Sequence, residues 1–191
     1  MPAEGDTMKS KNLRVLCEGA IMVALAQVLG YIKLFQLPQG GSITLAMLPI
    51  MVFCVRWGFK SGLAASFALG VLQLVLDGAY TWGWQSIIFD YILAYGILGT
   101  AGLFNRTKGG LFIGTAIAAL LRLSSHVISG YFFVHEMTTW ELYGLNIGSP
   151  WIYSILYNAS YIIPSTAVVL LVLLILYKPL RKQLSPQHSD L

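Results

Sequence analysis

The run Leu120-Leu-Arg-Leu-Ser-Ser-His-Val-Ile-Ser-Gly-Tyr-Phe-Phe133 lies inside a long apolar segment, yet it carries Arg122 and His126 four residues apart and Gly130 four further on. On a helix this spacing places all three on one face. An ionisable stripe on an otherwise apolar helix has to face protein, water or a ligand, because facing lipid is costly. What surrounds that stripe decides both the fold and its use.

Composition supplies the surroundings. Of 191 residues, 57% are hydrophobic and only 10% are charged, where a soluble domain carries about 25% charged residues. So little polar side chain cannot cover a globule, and the chain reads as a single multi-pass domain of the cell membrane, in contact with the lipid bilayer. Met1–Ser10 is polar, lacks the apolar run of a secretory signal peptide, and reads as a cytoplasmic tail. Residues 183–191 read as a second tail, with the bundle over 11–182. Cys17 and Cys54 are isolated from one another in apolar runs, which argues against a disulfide framework or a zinc site. The net charge of +4 fits basic cytoplasmic loops better than a nucleic-acid partner.

Counting apolar stretches of about 20 residues predicts six helices: Leu13–Phe35, Ile43–Val55, Ser61–Leu76, Gln85–Phe104, Gly110–Val134 and Trp151–Tyr177. The second is short and holds Pro49; short spans tilt or sit behind their neighbours. Ten of the twelve Lys and Arg residues (Lys9, Lys11, Arg14, Arg56, Lys60, Arg106, Lys108, Lys178, Arg181 and Lys182) fall on one side of this arrangement. That side is therefore cytoplasmic. The expectation is an all-α, six-helix transmembrane protein with both termini cytoplasmic. Small residues recur every fourth position as Ala20/Ala24, Gly62/Ser66/Gly70 and Gly110/Gly114/Ala118, a spacing that lets helix backbones approach closely. No internal repeat is visible.

Depth follows from the rise of about 1.5 Å per residue. Asp90 lies about 8 Å below the outer end of helix four, Asn158 about 10 Å down helix six, and His126 about 12–15 Å below the top of helix five. The three converge in the outer half of the bundle, with Arg122 one turn deeper and Glu18 in the inner half. A carboxylate, an imidazole and an amide, with Tyr80, Tyr91, Phe133, Tyr153 and Tyr157 nearby, suit a flat cationic ligand held by charge and by aromatic faces. The plainer alternatives are a buried Asp90–Arg122 bridge and a structural His126. Ser124, Ser125 and Ser129 share the histidine's helix, and neither a nucleophile elbow, a zinc-protease pattern nor a phosphate-cradling loop is present. No catalytic residue, metal or cofactor is expected, and any use of ATP falls to another chain.

At these residues, from about Leu13 to Lys182, the chain resembles the thiamine-specific substrate-binding (S) components of energy-coupling factor (ECF) vitamin transporters. The resemblance rests on Glu18-Gly-Ala-Ile-Met-Val-Ala24, Pro38-Gln-Gly-Gly-Ser42, Pro49-Ile50 and Arg56-Trp-Gly-Phe-Lys-Ser-Gly-Leu63. It continues through Asp90-Tyr-Ile-Leu-Ala-Tyr-Gly-Ile-Leu-Gly-Thr-Ala-Gly-Leu-Phe104, Arg122-x-x-x-His126-x-x-x-Gly130 and Tyr153-Ser-Ile-Leu-Tyr-Asn158. It implies an outward-facing thiamine pocket formed by Tyr80, Asp90, Tyr91, Arg122, His126, Gly130, Tyr153 and Asn158. In that picture Asp90 faces the cation, His126 and the aromatics stack on its rings, and Asn158 hydrogen-bonds it. It also implies that Ala20 and Ala24 dock a transmembrane coupling subunit served by two ATPase subunits. Where some relatives have tryptophan this chain has Gln39-Gly40-Gly41 and Val134, and Asp90 stands where some have glutamate. Trp140, Tyr143 and Trp151 are then candidates for the stacking surface. The rival expectations are a stand-alone proton-coupled vitamin carrier using Glu18, Asp90 and His126, and an S component for riboflavin or biotin.

Overall fold

A computed structural model of the chain describes residues 4–38, 40–77, 83–135, 137 and 141–179. Its helices are α1 (Glu4–Tyr31), α2 (Met47–Trp57), α3 (Phe59–Asp77), α4 (Trp84–Phe104), α5 (Gly110–His135) and α6 (Pro150–Tyr177). All but α2 are long and apolar enough to cross a membrane. They turn apolar side chains such as Ile21, Val75, Leu103, Leu120 and Leu174 outward, as a helix must where its surroundings are lipid.

α2 is the hub. Every residue in it except Leu48 and Val52 is buried. Ile50, Met51 and Cys54 pack in one cluster with Ala26 of α1, Leu69 of α3, Leu98 of α4, Ala118 of α5 and Val169 of α6. Apart from Arg56 its sequence is apolar on every side, which is the signature of a helix with no solvent face. Pro49 falls in the first turn, where its missing N–H breaks no helical bond. Gly58, at φ 82°, ends the helix by donating its N–H to the Cys54 carbonyl at 2.8 Å. One residue thus separates α2 from α3.

The glycine rows are spent inside the bundle. Gly62, Ser66 and Gly70 on α3 and Gly110, Gly114 and Ala118 on α5 are all buried. A Cβ on Gly70 would stand 2.6 Å from the Tyr91 carbonyl oxygen, so only glycine permits α3 and α4 to meet there. Ala20 and Ala24 on α1 behave otherwise, since both are exposed. Glu18, on another face of α1, pairs with buried Arg56 of α2 at 2.7 Å. Arg56 is therefore more than a marker of sidedness.

Two expectations are corrected. Residues 4–10 of the segment read as a tail are helical, part of a helix that runs from Glu4 to Tyr31 with no break in its periodic hydrogen bonding. The same helix stops at Tyr31, and Phe35–Gln36 (β1) instead pairs antiparallel with Ser42–Ile43 (β2). Between α5 and α6, Glu141–Leu142 (β3) pairs with Leu145–Asn146 (β4) around Tyr143-Gly144. Both turn residues have positive φ, 53° and 79°, the backbone that a two-residue hairpin turn requires.

Helix α4 departs from regular geometry in a way the sequence did not announce. A wide π-helical stretch, Ile87–Leu93, is followed by a tight 3-10 stretch, Ile97–Phe104. Asp90 sits in the middle of the wide stretch. Such insertions mark functional segments more often than chance would place them there.

Candidate functional site

A cavity of about 700 Å³ opens at one end of the bundle, within the usual range for small-molecule sites. Its rim is made by the end of α1, both hairpins, the end of α3 and the start of α4. The Arg56–Lys60, Arg106–Lys108 and Lys178 segments lie at the opposite helix ends.

Asp90 is held from three directions. On α4 itself, Ser86 stands one turn earlier and its Oγ donates to Oδ2 at 2.7 Å. From α5, Ser129 Oγ donates to the same oxygen at 2.6 Å, while His126 Nδ1 lies 2.8 Å from Oδ1. The other imidazole nitrogen, Nε2, accepts from Arg122 Nε at 3.3 Å. Those two contacts fix the tautomer: Nε2 is an acceptor, so Nδ1 carries the hydrogen and donates to the carboxylate. Arg122 also lays its guanidinium over the Tyr95 ring, 4.5 Å from the centroid, a favourable cation–π contact. The expected alternative of an Asp90–Arg122 clasp is therefore not what forms.

Helix α6 supplies the facing wall. Tyr153, Tyr157 and Tyr161 recur at helical spacing, with Tyr153 and Tyr157 stacked 6.3 Å apart at 16°. Tyr161 presents its edge to His126 with ring centroids 6.2 Å apart. Its hydroxyl donates to Asn158 Oδ1 at 2.7 Å. The Asn158 amide nitrogen donates to the Ser154 carbonyl at 2.9 Å and to the His126 carbonyl at 3.3 Å. In this structure the Asn158 side chain thus straps α6 to α5. Gly130 explains the close approach, since a Cβ there would collide with Ser154 Oγ and come within 3.0 Å of Asn158 Nδ2.

The hairpins reach over this chamber. Gly41, between β1 and β2, donates its N–H to the Tyr157 hydroxyl at 2.9 Å. Leu142 of β3 is buried against Val134 and Tyr153, so the second hairpin is anchored on the ends of α5 and α6. Glu141 beside it lines the cavity mouth.

Of the residues singled out in the sequence, Asp90, Tyr91, Arg122, His126, Gly130, Phe133, Tyr153 and Asn158 all line this one cavity. Tyr80 and Trp140 lie outside the described residues. Trp151 and Tyr143 do not supply a stacking surface: Trp151 stacks on Tyr131 at 4.1 Å, and Tyr143 hydrogen-bonds Ser160 at 3.0 Å on the outer surface. Neither lines the cavity. Glu18 is engaged with Arg56 and does not line the cavity. Sequence reasoning missed Ser86, Tyr95 and Tyr161 and undervalued Ser129. The signal for Tyr161 was present as the four-residue repeat from Tyr153.

Set beside known proteins, the chain matches the sequence model of a family described as thiamine transporter protein (Thia_YuaJ) over residues 16–185. It is 34% identical over 185 residues to the thiamine transporter ThiT of Bacillus subtilis strain 168, covering 88% of this chain and 93% of that protein. It is 27% identical over 181 residues to the thiamine transporter ThiT of Lacticaseibacillus paracasei, covering 85% and 86%. Among solved structures, ThiT from Listeria monocytogenes superposes with a TM-score of 0.80 at 25% identity, over 92% of this chain and all (100%) of that one.

Proposed function

We propose a function that starts from one premise: this chain belongs to the thiamine transporter protein family, Thia_YuaJ. It is a multi-pass protein of the cell membrane, and its task is to bind thiamine at the outer face and hand it inward. One observation carries the assignment to this cavity. Asp90 stands at its wall with a fixed carboxylate and, among the described residues, no guanidinium partner, beside the rings of Tyr91, Phe133, Tyr153 and Tyr157 that line the same cavity. Thiamine is flat, aromatic and permanently cationic. A half-buried acid flanked by ring faces suits such a ligand through charge and cation–π attraction.

Asp90 meets the charge, the tyrosines and Phe133 cover the rings, and His126 and Arg122 keep the acid's neighbourhood in register. Asn158 and Gly130 set the spacing of α5 against α6. The first hairpin, tied to Tyr157 through Gly41, closes over the occupied chamber. Import is completed by other chains: a transmembrane coupling subunit of the ECF type docks on the exposed Ala20/Ala24 face of α1, and two ATPase subunits supply the energy. Capture and release by this chain need no bond to be made or broken.

The test is a calorimetric titration of the detergent-purified protein with thiamine, paired with mass spectrometry of any copurifying small molecule. Saturable one-to-one binding of thiamine, with riboflavin and biotin failing to compete, is the expected result. Accumulation of thiamine by this chain alone in proteoliposomes, under a pH gradient and without ATP, would overturn the dependence on partner subunits.

A further inference from the structure

A carboxylate has two oxygens with about four lone-pair directions and nothing to donate. At Asp90 the chain itself takes three of them: Oδ1 receives His126 Nδ1, and Oδ2 receives both Ser86 Oγ and Ser129 Oγ. The two serines arrive from different helices and are buried, 4% and 5% exposed. A guest cation that carries N–H hydrogens would look for those same oxygens; one direction on Oδ1 is left to it, and to reach Oδ2 it would have to displace a protein donor. A cation whose nitrogen is fully substituted has no hydrogen to give and needs only the charge and a ring face. We infer that Ser86 and Ser129 are specificity-determining positioning residues, which occupy Asp90 so that the cavity selects quaternary aromatic cations over cations bearing N–H. This inference rests on the thiamine reading above, since the thiazolium nitrogen is quaternary.

The experiment compares two ligands on three proteins. The ligands are thiamine and an analogue in which a protonated, N–H-bearing piperidine replaces the thiazolium. The proteins are the unmodified chain, Ser86→Ala/Ser129→Ala and Ser86→Thr/Ser129→Thr. Removing the hydroxyls frees Oδ2 to accept from the analogue, a gain that for hydrogen bonds to charged groups corresponds to about tenfold or more in affinity. The ratio of thiamine affinity to analogue affinity is therefore expected to fall about tenfold in the alanine variant and to return in the threonine variant, which restores both hydroxyls. Ser129→Ala alone, which leaves Ser86 in place, keeps the comparison readable if the double variant does not fold. An unchanged ratio, or an equal loss for both ligands, overturns the role of the serines. If the unmodified chain binds no thiamine, it is the functional reading that fails.

Discussion

Arg122 directs its Nε at Nε2 of His126, 3.3 Å away, although both residues share their helix with Ser129, which reaches Asp90. The only guanidinium on the helix-five stripe thus serves the imidazole. Its charge is shared with the Tyr95 ring, and the Asp90 carboxylate is left with the His126 Nδ1–H and the hydroxyls of Ser86 and Ser129 as donors. An acid oriented in this way keeps its negative charge available to a guest.

Asp90→Asn retains the size of the side chain and removes the charge. Truncating one partner of a buried charge pair costs about 2–5 kcal/mol, so thiamine affinity is expected to drop roughly 30-fold or more by calorimetry. The elution profile and melting midpoint should be kept. An affinity within twofold of the unmodified protein would exclude Asp90 as the ligand's counter-charge.

Tyr157→Phe removes the acceptor for the Gly41 N–H. The lost bond is worth about 1 kcal/mol, and the loosened first hairpin should let ligand escape several-fold faster. Stopped-flow fluorescence of bound thiamine release reads this directly. An unaltered dissociation rate would mean that the Gly41–Tyr157 contact does not gate the chamber.

Ala20→Trp and Ala24→Trp place a large ring on the exposed face of α1, away from the cavity. Thiamine binding by the purified variants should stay within twofold. ATP-dependent uptake in cells or proteoliposomes containing the coupling and ATPase subunits should cease. Normal uptake by either variant would move the docking surface elsewhere.

Glu18→Gln breaks the pair with Arg56, whose side chain is only 10% exposed. Removing the carboxylate from beside a largely buried guanidinium costs up to about 3–5 kcal/mol, so the thermal midpoint should fall by several degrees. The pair lies in the half of the bundle remote from the cavity, and thiamine affinity at 25 °C should hold. A loss of affinity without a loss of stability would assign Glu18 a direct part in transport instead.

Much of this architecture was legible because membrane helices obey few rules. The rise per residue and the clustering of lysine and arginine were enough to bring Asp90, His126 and Asn158 to one level, and the structure joins them through direct contacts. The π-helical stretch at Ile87–Leu93 was not legible, because it is a choice of hydrogen-bond register made by packing against Gly70 and α5, not by residue type. Arg56 was read as a sign of sidedness because a sequence cannot show that Glu18 lies opposite it. Ser129 looked like an unsuitable nucleophile; its use as a donor appears only once α4 is beside it. The paired strands Phe35–Gln36 and Glu141–Leu142 are too short for alternation to declare them.

The brevity of α2 bears on how the chain reaches its membrane. At about 1.5 Å per residue, its eleven residues extend about 16 Å, roughly half of a hydrocarbon layer about 30 Å thick. Lipid alone cannot hold such a segment, and with Arg56 near its end it has little reason to remain there before a companion appears. Its stable insertion has to await synthesis of α3 and α4, whose Leu69 and Leu98 wrap it. Biogenesis of this protein is therefore a cooperative event in which the middle of the fold is the last part to become secure.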